Sequence, residues 1–186
     1  MSLTSRPLRT SVSRLRSWRV PDLDVRRHGR SAVNSDQSPG AALTIRDALA
    51  ADIPRLARVD HLAAAGDPGR NAAIQEWVNT ASIRVAQTET EVIGYCVTEY
   101  TFFGQAFITM LMVAANARGH GVGARLLLDA QQRRRTTKMF TSTNLSNQPM
   151  QRLLTRLGWQ SAGIVYGLDE GDPELFFLAP ASNASA

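Results

Sequence analysis

Cysteine is almost missing from this chain. The one residue present, Cys96, lies in an apolar, strand-like run, so no disulfide can close within the chain and no thiol-rich metal site can form. No metal is expected, and the cysteine usage suits a reducing cytoplasm, which is the expected location. Long apolar runs are also missing: the longest candidate, the broken stretch Phe102 to Ala117, falls short of the roughly 18 residues a bilayer demands. A soluble protein with no membrane partner is therefore expected. Charge of one sign is scarce outside the first thirty residues. There, Arg6, Arg9, Arg14, Arg16, Arg19, Arg26, Arg27 and Arg30 face only Asp22 and Asp24, a net of +6 within a chain total of +5, so the remainder balances at −1. A near-neutral body behind a basic tail lacks the basic face of a groove reader, so a nucleic-acid partner is not expected.

What is present is enough for one compact domain: 186 residues, 44% of them hydrophobic. The tail is too polar and too interrupted by Pro, Ser and Gly to fold alone, so residues 1–40 are read as a disordered basic extension and linker ending in the stretch Ser31 to Gly40. Leu8, Val12 and Leu15 on one helical face are also compatible with a transit peptide or a membrane-surface helix. The folded domain is placed at residues 41–182, followed by a short tail, 183–186.

Within the domain the patterns are regular. Leu43–Arg46 alternates as a strand; Asp52 to Leu62 has helical spacing, with Asp52 as N-cap and Pro54 in the first turn. After the break Gly66-Asp67-Pro68-Gly69, Ala73 to Trp77 makes a second, short helix. Strands follow at Ser82–Gln87, Val92–Tyr100 and Ala106–Val113, joined by hairpin-length connections.

The last of these strands leads into Arg118-Gly119-His120-Gly121-Val122-Gly123-Ala124 and then a helix reaching Arg135. Three alternate glycines at the mouth of a helix let a ligand approach the backbone closely, and the free N–H groups and positive dipole end of the helix favour a phosphate or pyrophosphate. Arg118 adds a guanidinium beside the same anion. A Walker loop needs Gly-Lys-Ser/Thr, whereas Gly123 is followed by Ala124-Arg125. A Rossmann loop needs an acidic residue about 20 positions on, where this chain has Lys138 and Met139.

A second segment extends the pattern. Lys138–Thr143 reads as a strand, Ser146-Asn147 as a helix cap with Pro149 in the first turn, and Met150, Leu153, Leu154 and Leu157 as the apolar face of that helix, ended by Gly158. Strands at about Gln160–Tyr166 and Leu175–Leu178 close the set. Taken together, Arg118-x-x-Gly121-x-Gly123 and Asn147, Met150, Leu153, Gly158 and Trp159 resemble the two motifs of the GNAT superfamily of acyl-CoA N-acyltransferases, over approximately residues 43–180.

The resemblance implies an α/β (α+β) GNAT fold: a mixed, mostly antiparallel sheet of about six or seven strands flanked by about four helices, with the fourth and fifth strands splayed apart. It implies acetyl-CoA or another acyl-CoA as donor, its pyrophosphate on Arg118, Gly119, His120, Gly121, Val122, Gly123 and Ala124, its pantetheine along Leu111, Met112 and Val113, and a further contact at Asn147. A backbone N–H near Val113 would meet the developing oxyanion. The acceptor would be the primary amine of a small molecule or peptide, attacking the thioester directly, and a homodimer is open. Non-catalytic acyl-CoA binding, or a nucleic-acid- or ribosome-associated acetyltransferase guided by the arginine tail, are the alternative functions.

The family pattern has a tyrosine at Leu154 that protonates the leaving sulfur, and leucine cannot donate. Asn144 and Ser146 are the nearest donors in sequence, Asn144 being the candidate retained, and Glu99 is the candidate proton acceptor. The acidic stretch Asp169-Glu170-Gly171-Asp172-Pro173-Glu174 either attracts a cationic amine or is only a turn.

Overall fold

The structure, a computed structural model, describes residues 42–181; the readings for residues 1–40 and for the C-terminal tail lie outside the described residues. Seven strands form one sheet in the order β1-β2-β3-β4-β5-β7-β6. They are β1 (Thr44–Asp47), β2 (Ser82–Gln87), β3 (Val92–Phe102), β4 (Gln105–Val113), β5 (Met139–Asn144), β6 (Gln160–Val165) and β7 (Glu174–Leu178). The pairings are antiparallel except β4 with β5, which run parallel. The mixed sheet is thus as expected.

Among the described residues five α-helices accompany it, in keeping with the expected four or so: α1 (Ile53–Val59), α2 (His61–Ala64), α3 (Pro68–Thr80), α4 (Val122–Arg133) and α5 (Gln148–Arg156). The single helix expected from Asp52 to Leu62 is broken at Asp60, which turns extended and caps α2 by accepting from the N–H groups of Leu62 (2.9 Å) and Ala63 (3.2 Å). Its second carboxylate oxygen accepts from the Tyr95 hydroxyl at 2.7 Å inside the core. Asp52 makes no side-chain cap for α1. Its buried carboxylate instead receives Arg46 (2.7 and 3.0 Å), Arg55 (3.1 Å) and the Leu49 N–H (2.9 Å), tying β1 to α1. The helix expected at Ala73–Trp77 runs the full length of α3. Asp67 caps it through the Arg70 N–H at 2.6 Å with Pro68 in the first turn, so the expected break is a helix start.

The sheet separates two apolar layers. On one face Leu56, Val59, Ile74 and Trp77 from α1 and α3 bury Val85, Tyr95, Val97, Met110 and Met112. On the other, Leu126 and Leu127 of α4 and Met150 and Leu154 of α5 pack on Cys96, Ala106, Ile108, Met139 and Phe177. Gly94 is what lets α4 lie close. A Cβ there would stand 2.9 Å from the Met112 carbonyl and 3.2 to 3.3 Å from Leu126 and Val122. Cys96 is fully buried, and burial pushes its thiol up to about 12, so it is inert.

Candidate active site

The parallel seam between β4 and β5 is short. Ala106, Phe107 and Ile108 pair with Met139, Phe140 and Thr141, and there the pairing stops, although β4 continues to Val113 and β5 to Asn144. The cause is visible on the other edge of β4, where Val97 pairs with Met110 and Thr98 with Ile108, leaving Thr109 as an extra residue. Such a bulge sharpens the local twist and turns the strand aside. The result is a wedge whose two edges begin at Thr109 and Ser142.

The glycine loop lies beyond the far end of β4. Gly119 (φ 80°) and Gly121 (φ 79°) are left-handed, and a Cβ on either would meet nothing within 4 Å, so both present open space to a ligand. Gly121 caps α4, no side chain caps that end, and the N–H groups of its first turn are free to bond an anion. Arg118 is anchored through Nε to the Val113 carbonyl at 3.1 Å, leaving the rest of its exposed guanidinium for the same anion. Gly123 differs from the other two. A Cβ there would touch Leu153, Leu111 and Val113 at 3.4 to 3.8 Å, so its bareness serves the approach of α4 to β4. His120 is exposed, Val122 is buried in the α4 layer, and Ala124 is half-buried. The cradle therefore fits a pyrophosphate.

Among the remaining donor-side candidates, Leu111 and Val113 pack on the α4–α5 layer while Met112 is buried with the opposite one, so Met112 can offer this site only its backbone. Asn147 is engaged within the fold: its amide oxygen accepts from the Met150 N–H at 3.3 Å, and its amide nitrogen donates to Thr143 at 2.9 Å. Leu154 is fully buried against the sheet, so the leucine that replaces the family's tyrosine is a core side chain.

The opposite face of the seam is aromatic and acidic. Phe107 and Phe140, paired across the seam, join Phe102, Phe103 and Phe176 in an aromatic cluster with ring centroids 4.8 to 6.2 Å apart. Because side chains alternate, Ser142 and Asn144 of β5 share this face, as do Phe176 and Glu174, their partners on β7. Glu99, paired with Phe107, is half-buried, and its carboxylate accepts from the Thr109 hydroxyl at the wedge edge. Asn144 is buried and its amide nitrogen donates to Asp169 (2.9 Å) and to the Asp172 carbonyl (3.4 Å). The Ser146 hydroxyl donates to Asp172 at 2.6 Å. Both donors considered for the leaving sulfur thus hold the loop between β6 and β7. Tyr166 of that loop is 73% exposed.

Glu174 is the residue whose placement the sequence reading missed. Assigned to the acidic loop, it is the first residue of β7, paired with Asn144, and only 6% exposed. Its Oε1 is buried with no hydrogen-bond partner. Burial raises its carboxyl above the ordinary range, Ser142 opposes that shift, and the nearby Asp169 and Asp172 add to it. The only sequence signal was the strand pattern of Leu175–Leu178, one residue short. Cavities of about 210 and 550 Å³ lie beside the start of β2 and, lined by Phe102, Phe103 and Phe140, at the closed end of the seam.

A strand, a left-handed glycine turn and a helix aligned on a parting parallel seam define an acyl-CoA-binding transferase fold. The model of the acetyltransferase (GNAT) family matches residues 51–159, more than half of the chain, and the chain belongs to that family. It is an acyltransferase of that family. Among solved structures it is similar to a GNAT family acetyltransferase of Bacillus cereus, at 26% identity over 75% of this chain and 98% of that one, with a TM-score of 0.70. The protein yncA of Salmonella typhimurium, solved with its cofactor acetyl-CoA, shares 20% identity over 78% of this chain and 97% of that one, with a TM-score of 0.61. The IAA acetyltransferase of Bacillus cereus shares 20% identity over 74% and 99%, with a TM-score of 0.59. No curated protein sequence matches the chain. Among the described residues no helix is long and apolar enough to cross a membrane.

Proposed function

We infer that the chain is an N-acetyltransferase, passing the acetyl group of acetyl-CoA to a primary amine of a small molecule or peptide by direct attack. One observation carries this reading. The wedge opens between a phosphate cradle at the end of β4 and, on the opposite face, the carboxylates of Glu99 and Glu174, neither of them bonded to a cation among the described residues. Such a face favours an ammonium over a neutral or anionic acceptor. The pyrophosphate sits on Arg118–Ala124, the backbone of Leu111–Val113 guides the pantetheine, and a free N–H of the splayed β4 meets the carbonyl oxygen as charge develops there. The amine's lone pair forms the N–C bond as the C–S bond breaks. Coenzyme A leaves as thiolate, which a thiol pKa of about 8.5 permits near neutral pH without a tyrosine at Leu154.

The proposed domain limits, residues 41–182, and a cytoplasmic location accompany this reading. An acceptor screen tests it: acetyl-CoA with spermidine, an aminoglycoside, free amino acids and a short peptide, following coenzyme A release and acceptor mass. Acetylation of at least one primary amine is expected. Tight acetyl-CoA binding with no transfer to any of them would instead favour the non-catalytic reading.

A further inference from the structure

Two carboxylates stand on the acceptor face, one on each side of the wedge, and they are not equivalent. On the β4 side Glu99 is half-buried and already bonded by Thr109. On the β5 side Glu174 is buried and shares a face with Asn144, its partner, and with Ser142, a diagonal neighbour at the residue where the wedge begins. Its Oε1 has lost water and gained no partner. A buried carboxylate oxygen left without a donor is costly, so an orphan in this position calls for a ligand. The residues acting on it are Ser142 from β5 and Asp169 and Asp172 from the loop; β6 presents Val165 opposite, and Asn144, which is uncharged, lies alongside.

We propose that Glu174 is the catalytic base of the transfer: its Oε1 receives the acceptor's ammonium at the Ser142 edge of the wedge and takes the proton that must leave before attack. This rests on the amine-transfer reading above. The balance is simple. One N–H proton passes from the ammonium to Oε1, the freed lone pair forms the N–C bond, and the C–S pair goes to sulfur. The second N–H proton goes to the thiolate, and Glu174 returns its own to solvent. The environment suits this task. Desolvation and the two aspartates make the carboxylate more basic than an exposed glutamate, which brings it closer to neutral pH, while Ser142 restrains the same shift. The Asp169–Asn144 and Asp172–Ser146 bonds fix the loop that carries these two aspartates.

The test uses the full chain, acetyl-CoA and whichever of spermidine, the aminoglycoside, the amino acids or the peptide turns over fastest. Glu174→Gln should keep acetyl-CoA affinity within about threefold by calorimetry, lower kcat by about 10²–10⁴-fold, and abolish the acidic limb of the kcat/KM profile. Ser142→Ala should move that limb to higher pH and Asp169→Asn to lower pH; a purely structural role for Glu174 would move neither. Glu99→Gln should keep the limb. Loss of acetyl-CoA binding in Glu174→Gln, or an intact acidic limb there, overturns the proposal while leaving the transferase reading standing, and a limb lost only in Glu99→Gln assigns the base to Glu99. A wild-type protein that acetylates none of these amines overturns both.

Discussion

Ile108 and Thr141 are the last paired residues of β4 and β5, and the Thr141 hydroxyl donates to the Ile108 carbonyl at 3.0 Å. That bond staples the apex of the wedge, and Thr141 is fully buried. Thr141→Val keeps the shape and removes the donor. The expected loss is about 0.5–1.5 kcal/mol in urea denaturation, with an unchanged m-value. A variant as stable as wild type would mean that the seam ends for reasons of twist alone.

The glycine loop separates two kinds of glycine, and substitution distinguishes them. At Gly121, φ is 79° and the missing Cβ faces open space, so a β-branched side chain costs about 1–2 kcal/mol in backbone strain and fills the volume a pyrophosphate needs. Gly121→Val should therefore weaken acetyl-CoA binding at least tenfold by calorimetry. Gly123→Ala adds a Cβ at ordinary contact distance from Leu153, 3.4 Å, and should bind within a few-fold of wild type. Equal tolerance at both positions would remove the loop from the donor site.

Much of this was legible from residues alone. The 3.6-residue spacing of Val122, Leu126 and Leu127 and the Arg118–Gly123 motif located α4 and its ligand end, and each strand was found to within about two residues of its observed limits. The misreadings share one cause, that short polar side chains play several parts. Asp60 breaks a helical run and bonds Tyr95, thirty-five residues away, a role no local pattern encodes. Asp67-Pro68 was read as a break where it starts α3. Glu174 looked like one acid among four because its place is set by pairing with Asn144 on β5 and Val165 on β6, which no local pattern encodes.

The Asp52 cluster should govern acid stability. Hydrogen bonds from Arg46, Leu49 and Arg55 hold its carboxyl well below the usual carboxylate range, against the opposing effect of burial. A depressed folded-state pKa contributes stability that is fully present above the unfolded value, about 3.9, and is lost as pH falls through the folded one. Wild type should lose melting temperature as pH drops below about 4. Asp52→Asn should lose about 2 kcal/mol at neutral pH and show a flatter acid limb, measured by thermal melts from acid to neutral pH.

Leu154 marks where this chain departs from its family, and the structure changes what a substitution there should do. On sequence grounds, Leu154→Tyr would restore the acid at a vacant position, since a helix face accepts an aromatic whose hydroxyl reaches the wedge. The side chain is instead 0% exposed, packed in the layer that contains Met139, Met150, Trp159 and Phe177. A tyrosine adds a ring and a hydroxyl to a filled site. Overpacking costs typically about 1–3 kcal/mol, and the buried hydroxyl needs a partner or costs more. We therefore expect Leu154→Tyr to lower the denaturation midpoint clearly, while Leu154→Met, of similar volume, changes stability by less than about 1.5 kcal/mol. Turnover should not rise in either, because in the proposed transfer the thiolate leaves unaided. A stable tyrosine variant with faster turnover on the acceptor identified by the screen would show that the layer opens at Leu154 and that protonation of the sulfur had been limiting.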